Sequence, residues 1–229
     1  MCYSFRTSII SYTLGMISAI FAFFTRQYII GLLILFYVQM QLSEAIIWRG
    51  IDSNDTKLNK IGTMYGKHLL PTHLCAIGAG YLLAIFLLEE RSIEAYDFIP
   101  LLIGIIFLLI IEFGPYSTNY PDETYPKDKK HMSQSCQNNN NRLRWPYPHG
   151  WYTFLFILAI IFVIFYVKPL DTQIFIILTF VISLCLVNVF FPKKTVGSVW
   201  CFAAAILAPI LVIGNYLIIR DKNNSDIMT

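Results

Sequence analysis

The residues best suited to chemistry in this chain are polar or ionisable side chains set inside long apolar runs. Between Tyr28 and Trp48 the run is interrupted by Tyr37, Gln41, Glu44 and Trp48, at spacings of four, three and four. On a helix those spacings stack the four on one face, as a polar and aromatic stripe. Glu44 is the sharpest single position, because an ionisable group inside an apolar helix is costly and marks a pathway, a relay or an ion pair. Its bland counterpart is a structural pair with Arg49 or Lys67. The next run begins Lys67-His68 and contains Pro71-Thr72-His73. Proline removes a backbone hydrogen bond near the start of that helix, and a histidine beside the gap can donate or accept there, although a satisfied core histidine is the commoner outcome.

Further polar groups lie at the edges of the remaining runs. Glu112 ends the fourth, His149 precedes the fifth, Asn188 lies late in the sixth, and Ser198, Trp200 and Cys201 open the seventh, while Cys2 and Ser4 stand at the chain start. Several chemistries are tested against this set. A retinal protein needs a Schiff-base lysine in the last helix, and Cys201–Ile219 contains none. A histidine-ligated zinc site needs several spaced histidines, but His131 sits in a polar loop and His68 and His73 are five apart, off a shared helical face. Gly-x-Ser-x-Gly, phosphate-loop and His-Glu-x-x-His motifs are absent. A hydrolytic or acyl-transfer site from Glu44, His73 and Cys201 stays open without support from spacing. The expectation is a non-enzyme with no metal, no cofactor and no identified catalytic residue.

These groups need elements to position them, and composition says which. Of 229 residues, 56% are hydrophobic and 14% charged, against roughly 45–50% and 25% for soluble domains. Too little polar surface remains to cover the chain in water, so the expected fold class is an all-α integral membrane protein. Seven transmembrane helices are predicted, over residues 9–24, 28–48, 69–88, 98–113, 151–166, 173–191 and 199–219. They make one bundle spanning 1–229, with no separate soluble domain, and 114–150 is a polar loop containing the tract Gln137-Asn138-Asn139-Asn140-Asn141. Trp48, Trp145, Trp151 and Trp200 fall near span ends, as an interfacial belt requires. The first apolar run lacks a charged leader and an Ala-x-Ala site, so it reads as a helix rather than a secretory signal.

Charge sets the orientation. One side of a seven-span bundle collects 12 of the 17 Lys and Arg residues, among them Arg6, Lys57, Lys60, Lys127 and Lys193. The positive-inside rule puts that side, with the N-terminus and the 114–150 loop, in the cytoplasm and the C-terminus outside or in a lumen. The sequons Asn54-Asp55-Thr56 and Asn223-Asn224-Ser225 fall on opposite sides and do not decide the matter. The net charge of +3 is small, and nothing in its distribution suits nucleic acid. Five scattered cysteines without a Cys-x-x-Cys pair indicate neither a disulfide framework nor structural zinc.

With alternating helix directions, most of the polar candidates fall in the cytoplasmic half, and the outer half offers little beyond Ser11, Tyr81 and Asn215. The expected function is that of a small-solute transporter or facilitator. Gln41, Glu44, His73, Asn188, Ser198 and Trp200 would line its cytoplasm-facing cavity, with Cys2, Ser4, Tyr37, His68, Glu112, His149 and Cys201 around it. Two alternatives are a membrane-embedded enzyme acting on lipid head groups, and a non-enzymatic structural or interaction protein of a viral or host membrane that docks through 114–150. The partners are the lipid bilayer and an unidentified small solute, with a homo-oligomer left open.

Two patterns reach beyond single residues. Ile61-Gly62-Thr63-Met64-Tyr65 and Val196-Gly197-Ser198-Val199-Trp200 match position by position, and Pro71 and Pro209 follow them. Equivalent motifs leading into helices three and seven would make helices 1–3 and 5–7 parallel repeats joined by helix four, a 3+1+3 plan. Separately, Met1-Cys2-Tyr3-Ser4 with Ser8, the segment Glu44–Trp48, Leu143-Arg144-Trp145 and Gly197-Ser198-Val199-Trp200-Cys201 together resemble an uncharacterised family of small polytopic membrane proteins of giant DNA viruses, protists and bacteria. Its members often begin Met-Cys-Trp-Ser, and Tyr3 stands here in place of that tryptophan. The resemblance implies no activity; the 34 isoleucines and the asparagine tract suit an A/T-rich genome such as a giant virus carries.

Overall fold

A computed structural model of the chain describes residues 4–88, 91–114, 121–125, 143, 158, 161, 164–165, 170–190 and 196–227, without the side chains of residues 70, 172, 180, 184, 187–188, 196–201 and 221–227. These residues are helical almost throughout. Helix α1 (Phe5–Phe24) starts at Ser4, whose hydroxyl accepts from the Thr7 N–H, and α2 runs over Tyr28–Asp52. The two turns around α2 are sharp because Arg26 and Asn54 take positive φ, 59° and 53°, a left-handed conformation that L-residues adopt singly at reversals. Helix α3 (Thr56–Leu69) starts on the Asp55 carboxylate, which accepts from the backbone N–H of Lys57 at 2.9 Å and Leu58 at 3.1 Å. A single 3-10 turn at Leu70–Thr72 leads into α4 (His73–Leu88), and a second at Ala95–Phe98 leads into α5 (Ile99–Phe113). Helices α6 (Leu170–Phe190) and α7 (Val196–Ile227) complete the seven among the described residues.

Among the described residues, four stretches are long and apolar enough to cross a membrane: Phe5–Phe24, Tyr28–Asp52, Ala95–Phe113 and Phe202–Arg220. At 1.5 Å per residue each reaches roughly 30 Å, the thickness of a bilayer's hydrocarbon core. Helices α3 and α4 pass the same test only together, as a pair bent by 54° at the turn holding Pro71. Pro209, in contrast, lies inside a continuous α7. The two segments expected to repeat therefore differ in shape: one is broken at its proline and the other runs through it. Most of the expected 151–166 span lies outside the described residues.

The stretch 49–68, expected as a plain basic connection, holds the end of α2 and nearly all of α3. A search for aliphatic runs passes over α3 because its buried face is made of Asn59, Gly62, Thr63 and Gly66. Those small side chains let backbones meet. A Cβ on Gly62 would stand 2.7 Å from Ile47 Cγ1 and 3.0 Å from the Ser43 carbonyl oxygen, and Ser43 Oγ donates to the Gly62 carbonyl at 2.7 Å. The same device packs α4 against both neighbours: a Cβ on Gly80 would meet Ile29 Cα at 2.7 Å, and one on Gly104 would meet the Cys75 nitrogen at 2.6 Å.

Helix α2 is the hub, touching α1, α3, α4 and α7, while α5 packs on α4 and α6 on α7. Its Ile30, Ile34, Val38 and Ile47 lie in one core with Ala19 and Ala22 of α1, Leu74 and Ile77 of α4, and Ala208 and Val212 of α7. Leu143 joins that core fully buried. Apolar rings face outward instead at Phe24 and Phe113, 83% and 84% exposed.

Candidate functional site

Helix α2 carries its polar stripe into the centre of the bundle. Gln41 and Glu44 are fully buried, Trp48 nearly so, and Tyr37 packs its ring on that of His73 with centroids 5.2 Å apart at 55°. The turn at Leu70–Thr72 is what delivers His73: it interrupts the helix at Pro71, so that α4 restarts at the histidine and points its ring, 3% exposed, across to α2. Beside this ring pair lies a cavity of about 90 Å³, walled by Tyr37 and His73, by Ile176, Thr179 and Ser183 of α6, and by Ala208 of α7, among others. Thr179 already donates to the Phe175 carbonyl on its own helix.

Gln41 is the anomaly. Neither its Oε1 nor its Nε2 finds a hydrogen-bond partner among the described residues, although both atoms are buried. Ser8 Oγ and Trp48 Nε1 share that condition. Buried amides are almost always paired, because an unmet donor or acceptor costs about 1–3 kcal/mol. Other buried polar side chains among the described residues obey that rule. Gln27, equally internal, donates through Nε2 to the Val212 carbonyl at 3.1 Å and to Thr25 Oγ1 at 2.8 Å, and accepts from Asn215 Nδ2 at 2.8 Å. Asp97, inaccessible to solvent, holds Arg91 through two bonds of 2.7 and 2.9 Å and accepts from the Tyr81 hydroxyl at 3.0 Å. Asn59 exchanges two hydrogen bonds with the Thr124 backbone at 2.9 and 3.0 Å, and Thr63 donates to Asn59 Oδ1 at 3.1 Å. Beside that latch Tyr125 donates to Glu123, and this bond, with burial, pushes the phenol above its ordinary range.

The polar residues expected in the outer half are thus held by partners: Asn215 by Gln27, Tyr81 by Asp97, and Ser11 by the Thr7 carbonyl at 3.0 Å. Of the expected cavity residues, half-buried Tyr37 stacks on buried His73, and Gln41 and Glu44 lie fully buried on the following turns of α2. His68 and Glu112 sit apart from it as a pair at the rim, Nδ1 to carboxylate 2.9 Å, with side chains 51% and 22% exposed. Ser4 caps α1. Cys2 and His149 lie outside the described residues, as do the side chains of Asn188, Ser198, Trp200 and Cys201, whose backbones belong to α6 and α7.

The sequence alone did not single out Gln27, Asp97 or Asn59. A usable signal existed for Asp97: Glu94 and Asp97 have the spacing of a capping box, and the structure forms it. None existed for Gln27, whose interhelical partners are 185 and 188 residues away. Among the described residues no three His, Cys, Asp or Glu side chains converge as a metal ion requires. The cavity has aromatic and aliphatic walls with Thr179 and Ser183 as its few hydroxyls, and the buried Gln41 amide lies one helical turn beyond its wall at Tyr37. The chain matches no protein-family model, no curated protein and no solved structure.

Proposed function

We propose that the chain is a multi-pass integral membrane protein that admits a small solute to a site inside its bundle, between α2, α4, α6 and α7. The N-terminus is cytoplasmic and the C-terminus outside or lumenal. Support for the membrane comes from the four apolar stretches of bilayer length, the outward-facing rings of Phe24 and Phe113, and the one-sided distribution of Lys and Arg. Counting the bent α3–α4 pair once, and adding the 151–166 stretch and α6, seven crossings place the two termini on opposite sides. The 3+1+3 repeat and the kinship with small polytopic membrane proteins belong to this proposal as well.

The observation that carries the solute site is the Gln41 amide, fully buried and lacking a partner for either polar atom among the described residues, one helical turn from the cavity wall at Tyr37. In a lipid-embedded core such a group is destabilising until a guest or a water reaches it. Glu44 and His73 flank it, one on the next turn of α2 and one across the cavity. The test is flux into proteoliposomes with a panel of small neutral, cationic and anionic solutes. The wild type should carry at least one of them, and Glu44→Gln and His73→Ala should each reduce that flux; flux unaltered by both substitutions would remove these residues from the mechanism.

A further inference from the structure

The cavity between α2, α4, α6 and α7 is walled by hydrocarbon. All of its described lining residues except Tyr37, His73, Thr179 and Ser183 are aliphatic. None of those four is without a partner. Thr179 donates to the Phe175 carbonyl at 2.8 Å, Tyr37 and His73 set their rings against each other, and Ser183 is engaged as well. A guest therefore meets methyl and methylene groups on nearly every side.

The volume of about 90 Å³ exceeds the roughly 10–15 Å³ that one water occupies, so chemistry rather than space keeps water out. A buried water needs roughly two to four polar partners, and cavities lined by aliphatic residues stay dry and take up apolar molecules instead. A polar or charged guest would surrender its hydration to walls that return little of it. Hydrocarbon gives up nothing on entry and gains dispersion contacts with wall atoms that otherwise face a void.

The surroundings supply that hydrocarbon. Helix α6 turns Ile176, Thr179 and Ser183 to the cavity, while Leu178, Ile182 and Leu186 of the same helix are 51%, 54% and 52% exposed. Spacings of three and four set each trio on its own face, so a single helix separates the cavity from the outside of the bundle. Among the described helices α6 is held chiefly by α7, which leaves its side toward α2 and α4 as the way in. On the membrane reading above, and beyond its solute site at Gln41, we infer that this cavity is a binding site for the acyl chain of a bilayer lipid, which enters beside α6 and lies against Ile34, Ile77 and Ala208. Gln41, one helical turn past Tyr37, is left to the solute. Lipid chains are the solvent of such a protein, so weak affinity suffices to fill the site by mass action.

Photolabelling tests this. The full-length protein in phosphatidylcholine vesicles, doped with a phosphatidylcholine bearing a diazirine in its acyl chain, is irradiated and the labelled residues are mapped by mass spectrometry. Ile182, 54% exposed, should be labelled from bulk lipid, and Ile77, 2% exposed, from the cavity. Ala208→Phe puts a ring into the cavity and should abolish labelling at Ile77 while leaving Ile182 unchanged. Ala204→Leu should do the same with less bulk, so the result does not hang on one variant's folding. Labelling of Ile182 without Ile77 in the wild type overturns the inference, as does labelling of Ile77 that neither substitution reduces. A parallel sample receives a free diazirine-bearing aromatic hydrocarbon; if that probe labels Ile77 and the lipid does not, the acyl-chain assignment is overturned. Labelling requires no transport. A wild type labelled at Ile77 that carries no solute upholds this inference and fails the solute site, and flux without labelling at Ile77 does the reverse.

Discussion

Gln41 and Gln27 share side-chain chemistry and near-complete burial, yet the structure predicts opposite responses to leucine. At Gln41 the substitution removes an amide with no partner among the described residues and replaces it with an apolar side chain of similar length in an apolar setting. Relief of an unmet buried amide is worth about 1–3 kcal/mol. Taking about 2 kcal/mol, and roughly 2–4 °C per kcal/mol for a chain of this size, Tm should rise by about 4–8 °C. At Gln27 the same change deletes the bonds to Val212 and Thr25 and takes from Asn215 a buried acceptor. Interhelical hydrogen bonds in membrane bundles average about 0.6 kcal/mol each, and an acceptor taken from a buried amide adds about 1 kcal/mol or more. Tm should therefore fall by a similar 4–8 °C. Thermal unfolding of both variants in one detergent, followed by circular dichroism, measures the difference. If Gln41→Leu lowers Tm as much as Gln27→Leu, Gln41 is a structural strut and the reasoning that makes it a guest-binding group is refuted. A rise in Tm accompanied by loss of flux is the signature of a binding group that destabilises the empty protein.

Other parts of the structure make further predictions. Gly62→Val should lower stability by about 1–3 kcal/mol, since its side chain must displace Ile47 and the Ser43 carbonyl and separate α3 from α2; chemical denaturation measures it. His68→Ala should change stability by less than about 1 kcal/mol and leave flux intact, because its pair with Glu112 is solvent-exposed at the rim. A cysteine at Ser92, in the exposed link between α4 and α5, should react with an impermeant maleimide added outside intact cells. One at Lys57, at the start of α3, should react only after permeabilisation, and the reverse pattern would invert the proposed topology.

The sequence by itself determined the helical class, the stripe and the approximate ends of most helices. These are local properties: apolar runs of bilayer length, the four-three-four spacing of Tyr37, Gln41, Glu44 and Trp48, and breaks rich in charge and proline are all written within a few turns of chain. It did not show α3, because a helix that packs through Asn59, Gly62 and Thr63 has no aliphatic run to find. Nor could it sort the polar residues. Gln27 and Gln41 are indistinguishable as letters, and only the arrival of α7, with Val212 and Asn215 brought from the other end of the chain, satisfies the first. His68 and His73 sit five residues apart, one expected around the cavity and the other lining it. The turn at Pro71 sends one to the rim and the other into the core against Tyr37. Hydrogen-bond satisfaction is a property of neighbours distant in sequence, so tertiary structure alone decided which buried polar groups are struts and which, like Gln41, lack a partner among the described residues.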